Sequence, residues 1–190
     1  MKTKKILFLI TFVFSCSAVW AQGIGREVYI DEVNDYMISY PDDWSLEEGE
    51  ERSITIYSPY WDDISYENAS EYDLGYIEEK IQILPVRWDE GSLEEYIDAN
   101  FHSLDWSELF EGFHIENEGR EKINSREAIW FQTIYYIGDT SCISLFYFIK
   151  TYNKVISFTT FSKEENFEGN YKIKFLEIIR STNSYLENKR

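Results

Sequence analysis

The sequence predicts an α+β fold built on an antiparallel β-sheet, and three observations carry that prediction. Four extended segments follow one another from His114 to Phe161 with short polar turns between them, and short turns between long strands make antiparallel neighbours. The segment 126–137 is apolar on both alternation sets, with Ile129, Phe131 and Tyr135 on one and Trp130, Ile134 and Tyr136 on the other. A strand of that kind is covered on both faces of its sheet. Two capping-box signals, Ser92 with Glu95 and Ser162 with Glu165, open helical patterns that can supply the cover.

The elements follow in order. Short strands are expected at 28–30, 36–40 and 53–57, the last two separated by a polar connection over Glu47–Arg52. The nonapeptide YMISYPDDW at Tyr36–Trp44 closes its strand at Pro41, which has no backbone N–H for a ladder. Asp42 and Asp43 form the turn, and Trp44 returns a large apolar group toward the core. Gly75–Val86 is extended, with Pro85 expected to end the run. From the Ser92 cap, Leu93, Tyr96, Ile97, Phe101 and Leu104 fall on one helical stripe, while Glu94, Glu95 and Asp98 face water. The meander has strands at 114–122, 126–137, 142–151 and 155–161, turning at Asn124-Ser125, at Gly138-Asp139-Thr140 and at 152–154. A closing helix presents Phe167, Tyr171, Phe175, Ile178 and Thr182, with Gly169 bending it near its start. Residues 185–190 are expected to fray.

The N-terminus reads as an export signal. Lys2, Lys4 and Lys5 precede a nine-residue apolar stretch, Ile6–Phe14, and small residues run to Ala21. That stretch falls short of the roughly 20 residues of a membrane span, so residues 1–21 are expected to be cleaved and 22–184 to form a single domain. Lipid attachment at Cys16 is the alternative, with Phe14 a poor fit to it. Cleavage removes three lysines and no acid, which takes the formal charge from −17 to −20. A chain so acidic is repelled by nucleic acid and by anionic lipid and suits basic partners or cations. The mature chain keeps one cysteine, Cys142, so it has no internal disulfide; lacking a neighbouring His or Lys to stabilise a thiolate, it reads as a buried thiol.

The strand ending in Tyr-Pro-x-x-Trp at Tyr36–Trp44, the helix Ser92–Leu104, the hairpin Ile123-Asn124-Ser125-Arg126-Glu127-Ala128 and the last helix at Lys174–Thr182 occur in an order that resembles the PsbP-like superfamily. The resemblance spans residues 28–183. It implies an α/β/α sandwich, with a central antiparallel β-sheet flanked by helices, and a non-catalytic accessory or binding role. Where that family's hairpin often has glycine this chain has Asn124-Ser125, and asparagine tolerates the positive φ of the turn.

The segment 58–74 is the candidate site. It holds Asp62, Asp63, Glu67, Glu71 and Asp73 among Tyr60, Trp61, Tyr66 and Tyr72. Asp62, Asp63 and Asp73 offer oxygens to a hard cation, although without EF-hand spacing, and the four aromatics offer a partner surface. The competing reading is an acidic loop whose aromatics pack on the sheet. His102 and His114 lack the company zinc requires and read as structural or solvated. No nucleophile elbow, phosphate loop or dinucleotide fingerprint occurs. The sequence therefore points to an exported, non-catalytic binding or accessory protein of the bacterial cell envelope, with an unknown protein partner and no cofactor. The alternative is a cation- or small-ligand-binding module using segment 58–74.

Overall fold

The computed structural model describes residues 25–59, 79–89 and 91–188. Strands β1 (Arg26–Asp31) and β2 (Tyr36–Pro41) form an antiparallel hairpin in which Arg26 faces Pro41 and Asp31 faces Tyr36. The Asp31 carboxylate sets the hairpin turn by accepting the backbone N–H groups of Val33 and Asn34 at 3.0 and 2.9 Å. Pro41 ends β2 as its missing N–H requires.

Among the described residues, seven further strands make one antiparallel sheet: β3 (Ser45–Glu48), β4 (Ile54–Tyr57), β5 (Lys80–Arg87), β6 (Glu111–Ile123), β7 (Arg126–Ile137), β8 (Thr140–Lys150) and β9 (Lys154–Lys163). Their order is β3-β4-β5-β9-β8-β7-β6. The predicted meander forms its second half. Asn124 and Ser125 turn β6 into β7 with φ of 48° and 69°, the positive pair that a two-residue hairpin turn demands.

Two strand expectations are corrected. Glu47 and Glu48 belong to edge strand β3, not to a connection, because Ser45–Glu48 pairs with Ile54–Tyr57 and seats Leu46 against the core. Pro85 lies within β5, opposite Ile156, and the strand runs on to Arg87. Among the described residues the β4 partner reaches only to Ile83, so beyond it β5 has a side with no described neighbour, on which a missing N–H breaks no described ladder.

The helices cover both faces. Helix α1 (Leu93–Ile97) begins with the predicted capping box: Ser92 Oγ accepts Glu95 N–H at 3.1 Å, and Glu95 Oε2 accepts Ser92 N–H at 2.7 Å. It then widens into a π-turn at Asp98–His102, followed after a break by the single turn α2 (Trp106–Leu109). The wider turn carries Leu104 off the predicted stripe, leaving it 46% exposed.

The second capping box does not form. Ser162 stays buried in β9, held by pairing with Ile143, and Lys163 precedes the helix. Helix α3 (Glu164–Asn166), a π-turn at Phe167–Tyr171 spanning Gly169, and α4 (Lys172–Arg180) follow. All five predicted stripe residues, Phe167, Tyr171, Phe175, Ile178 and Thr182, are buried. Tyr185–Asn188, in the segment expected to fray, makes one helical turn, α5, and Leu186 N–H donates to Asp35 at 2.8 Å.

Two apolar layers result. On one face Tyr36, Ile38 and Tyr40 of the hairpin, Trp44, and Phe175, Ile178 and Ile179 of α4 pack on Ile54, Ile81, Leu145, Tyr147 and Phe158. On the other, Leu93, Tyr96, Ile97 and Phe101 pack on Ile129, Phe131, Phe146 and Phe148. β8 is buried continuously from Cys142 to Ile149, as a strand covered on both faces must be. Trp44 is the predicted core anchor, with Tyr171 and Phe175 meeting its ring edge-on at 6.2 and 5.9 Å. The fold is an α+β sandwich whose second layer is shared by a hairpin and a helix.

Candidate functional site

The residues singled out from sequence, Tyr60, Trp61, Asp62, Asp63, Tyr66, Tyr72 and Asp73, lie outside the described residues, as do Cys16 and the export signal. Of that candidate segment Ser58 and Pro59 are described. Ser58 N–H donates to Glu79 C=O at 3.0 Å, so the described ends on either side meet at one end of β4 and β5.

The other singled-out residues are placed. His114 Nδ1 is 2.9 Å from Gly112 C=O, and the His102 ring meets Phe131 edge-on at 5.3 Å. Cys142 is fully buried, and burial pushes its thiol above the ordinary value. The expectation that Cys142 lacks a neighbouring lysine is corrected: Lys163 pairs opposite it across β8 and β9 and its charge favours the thiolate, but burial outweighs that pull. Among the described residues no group of three or more His, Cys, Asp or Glu side chains is arranged to hold a metal ion, and no helix is long and apolar enough to cross a membrane.

The described surface carries a groove of about 320 Å³ where α1 and its π-turn lie over β6 and β7. Ile97, Ile129 and Phe131 make its floor. Glu94, Asp98 and His102 form the helix wall, and Glu118, Gly119 and Arg120 form the strand wall. The capping box places Glu94 and Asp98 one turn apart on the water-facing side of the helix, and strand alternation puts Glu118 and Arg120 opposite Phe131 and Ile129. Arg120 hydrogen-bonds Glu94 across the groove and lies 3.8 Å from Glu127. Its hydrogen bond holds the Glu94 carboxyl below the usual carboxylate range. Asp98 and Glu118, on facing walls, have no side-chain hydrogen bond or ion pair among the described residues. Two walls thus present one cation that is already matched and two carboxylates that are not.

The strand wall rests on a close approach. A Cβ on Gly119 would come within 2.6 Å of the Trp130 ring, which lies beneath it on the opposite face of the sheet. Trp130 stacks on Tyr147 at 6.1 Å, Tyr147 donates to Glu121 at 2.9 Å, and Glu121 is 3.2 Å from Arg180 of α4. The groove is therefore braced from the far layer.

A second groove, about 580 Å³, separates the hairpin from α4. Its polar groups satisfy one another: Arg26 donates to Ser39 Oγ at 2.7 Å, to Ser39 C=O at 2.8 Å and to Glu177 at 3.3 Å. A third hollow, of about 500 Å³, lies among residues 139–141 and 163–165, where Ser141 donates to Glu164 at 2.6 Å and Lys163 stands among the acids. The α1–β6 groove differs in setting unmatched carboxylates over an apolar floor. Its walls offer carboxylates and an imidazole, and its floor offers apolar contact. Asp98 was legible as a water-facing helical position, but Glu118 and Arg120 carry no motif, and only the packing of α1 on β6 brings them to it.

No family model and no curated protein matches the chain by sequence. Solved structures do match. The solution structure of cyanobacterial PsbP from Synechocystis is similar over 90% of this chain and 98% of its own, with a TM-score of 0.61 and 15% identity. A Bacteroides thetaiotaomicron crystal structure matches over 87% of this chain and 50% of its own, with a TM-score of 0.56 and 15% identity. LpqN, involved in cell envelope biogenesis of Mycobacterium tuberculosis, matches over 86% of both chains, with a TM-score of 0.51 and 10% identity.

Proposed function

We propose that this chain, which has a PsbP-like fold, is an exported, non-catalytic accessory protein of the bacterial cell envelope that binds a protein partner. The observation that carries the reading is the α1–β6 groove, where Asp98 and Glu118 stand unmatched over an apolar floor. Unpaired charge beside apolar surface is what a recognition site presents before its partner arrives. The export reading rests on Lys2, Lys4, Lys5 and the apolar stretch Ile6–Phe14. The LpqN likeness supports an envelope setting.

Two measurements test this. Mass spectrometry of the protein from an envelope fraction is expected to find a chain lacking residues 1–21; an intact chain retained inside the cell overturns export. A photo-crosslinking amino acid at His102, beside the groove, is expected to trap a partner. The same group at Tyr152, which is 98% exposed and far along the chain from the groove residues, serves as control. Equal crosslinking at both positions overturns the assignment of the groove.

A further inference from the structure

We infer that the α1–β6 groove accepts one arginine side chain, presented by an extended segment of a basic partner protein laid along the open edge of β6. The inference rests on the partner-binding reading above and names the chemistry of what binds. A volume of about 320 Å³ lies at the small end of ligand sites, and fits one long side chain better than a whole organic ligand. Its floor of Ile97, Ile129 and Phe131 suits the methylene stem of such a side chain, which buries carbon and keeps its charge at the rim. At that rim stand Asp98 and Glu118, two carboxylates from facing walls with no side-chain partner among the described residues, and the His102 imidazole lines the helix wall with Asp98. A planar guanidinium pairs with carboxylates through two parallel N–H groups and stacks on aromatic faces. The resident cation, Arg120, is already engaged by Glu94 and Glu127 and leaves those two acids unneutralised.

The edge supplies the presentation. Among the described residues β6 ends the sheet, and no described strand neighbours its outer N–H and C=O groups. The first part of β6 is broken by register shifts between Glu111 and His114 and between Ile115 and Asn117, a device that spoils an edge for pairing. From Asn117 to Ile123 the register with β7 is unbroken, and the groove lies against that regular stretch at Glu118–Arg120. An extended segment added there turns every second side chain toward the groove face. The formal charge of −20 after loss of residues 1–21 draws a basic segment in and repels an acidic one.

The test titrates the ¹⁵N-labelled mature domain with a nine-residue peptide of alternating threonine and valine carrying one central arginine, and with the same peptide carrying neutral citrulline instead. Amide shifts are expected along 117–123 and in α1, with affinity at least about tenfold weaker for citrulline and for the D98N/E118Q protein. Both substituted side chains are exposed and unpartnered, so an unchanged Tm is the folding control. No shift with arginine, equal binding of the two peptides, or shifts confined to another face overturns the inference. A response of Asp98 and Glu118 to Ca²⁺ alone, without peptide binding, overturns it in favour of a cation site. A partner crosslinked at His102 whose capture is indifferent to D98N/E118Q overturns this inference while leaving the partner-binding reading standing.

Discussion

Replacing Phe101 and Leu104 one at a time by alanine decides whether the helix over the groove carries the π-turn. In an uninterrupted α-helix both residues lie on the buried stripe, and each truncation costs about 2–5 kcal/mol. In the structure only Phe101 is buried, at 1% exposure, while Leu104 is 46% exposed. Phe101 stacks on Phe131 at 4.6 Å and touches Phe146, Trp106 and Phe148 at 5.0, 5.2 and 5.7 Å. Two of those neighbours, Phe131 and Phe146, are paired residues on the adjacent strands β7 and β8, whose ladder keeps the site from collapsing around a missing ring. Phe101→Ala therefore costs about 4 kcal/mol, within the range for buried phenylalanine truncation. At about 2–4 °C per kcal/mol for a domain of this size, Tm falls by about 8–16 °C. Leu104→Ala costs no more than about 0.5 kcal/mol, as an exposed substitution does. Urea unfolding of the mature domain followed by tryptophan fluorescence, with the m-value checked for constancy, measures both. A loss below about 1.5 kcal/mol for Phe101→Ala, or above about 2 kcal/mol for Leu104→Ala, refutes the helix geometry.

Three further outcomes are expected. Ser92→Ala removes one half of a capping box seen in both directions and costs about 0.5–2 kcal/mol by urea unfolding; no change refutes the cap. Gly119→Ala drives a methyl group into the Trp130 ring, costs about 1–3 kcal/mol and shifts tryptophan emission, whereas an unchanged spectrum and Tm refute the close approach. Alkaline stability follows from the buried phenols. Burial pushes Tyr135 up to about 12, and burial together with the Glu27 hydrogen bond does the same for Tyr40; Tyr36 and Tyr147 are raised as well, chiefly by burial. The unfolded chain ionises these groups near 10.0 while the folded chain keeps them neutral. Their contribution is whole below pH 10 and is lost as pH rises toward 12. Tm measured from pH 8 to 12 should fall only above about pH 10, with the 295 nm tyrosinate rise of these residues coinciding with unfolding; a rise that precedes unfolding refutes it.

How much was legible depended on how far apart the interacting residues lie. The Ser92 cap spans three residues, and the Asn124-Ser125 turn lies within one hairpin, so both are written locally and both form. Ser162 and Glu165 show the same local cap signal, yet the β8 ladder claims Ser162 through Ile143, and strand pairing wins over a hydroxyl cap. Pro85 was misread for a related reason: whether a missing N–H matters depends on which side of β5 has a neighbour there. The groove was the least legible feature. Glu94 and Arg120 are 26 positions apart and bear ordinary surface charges, so nothing in their local pattern marks them as a pair.

The sequence by itself determined the four strands of the meander, the Asn124-Ser125 turn, the α1 cap and a sheet apolar on both faces, because these follow from side-chain period and from hydrogen bonds a few residues long. Tertiary structure decided that β9 inserts beside β5, that β6 is thereby left at the edge of the described sheet, and that α1 lies across it. Those choices rest on the summed burial of many side chains distant in sequence, each contributing weakly. Asp98 and Glu118 are left facing one another, and unmatched, only once that sum is settled.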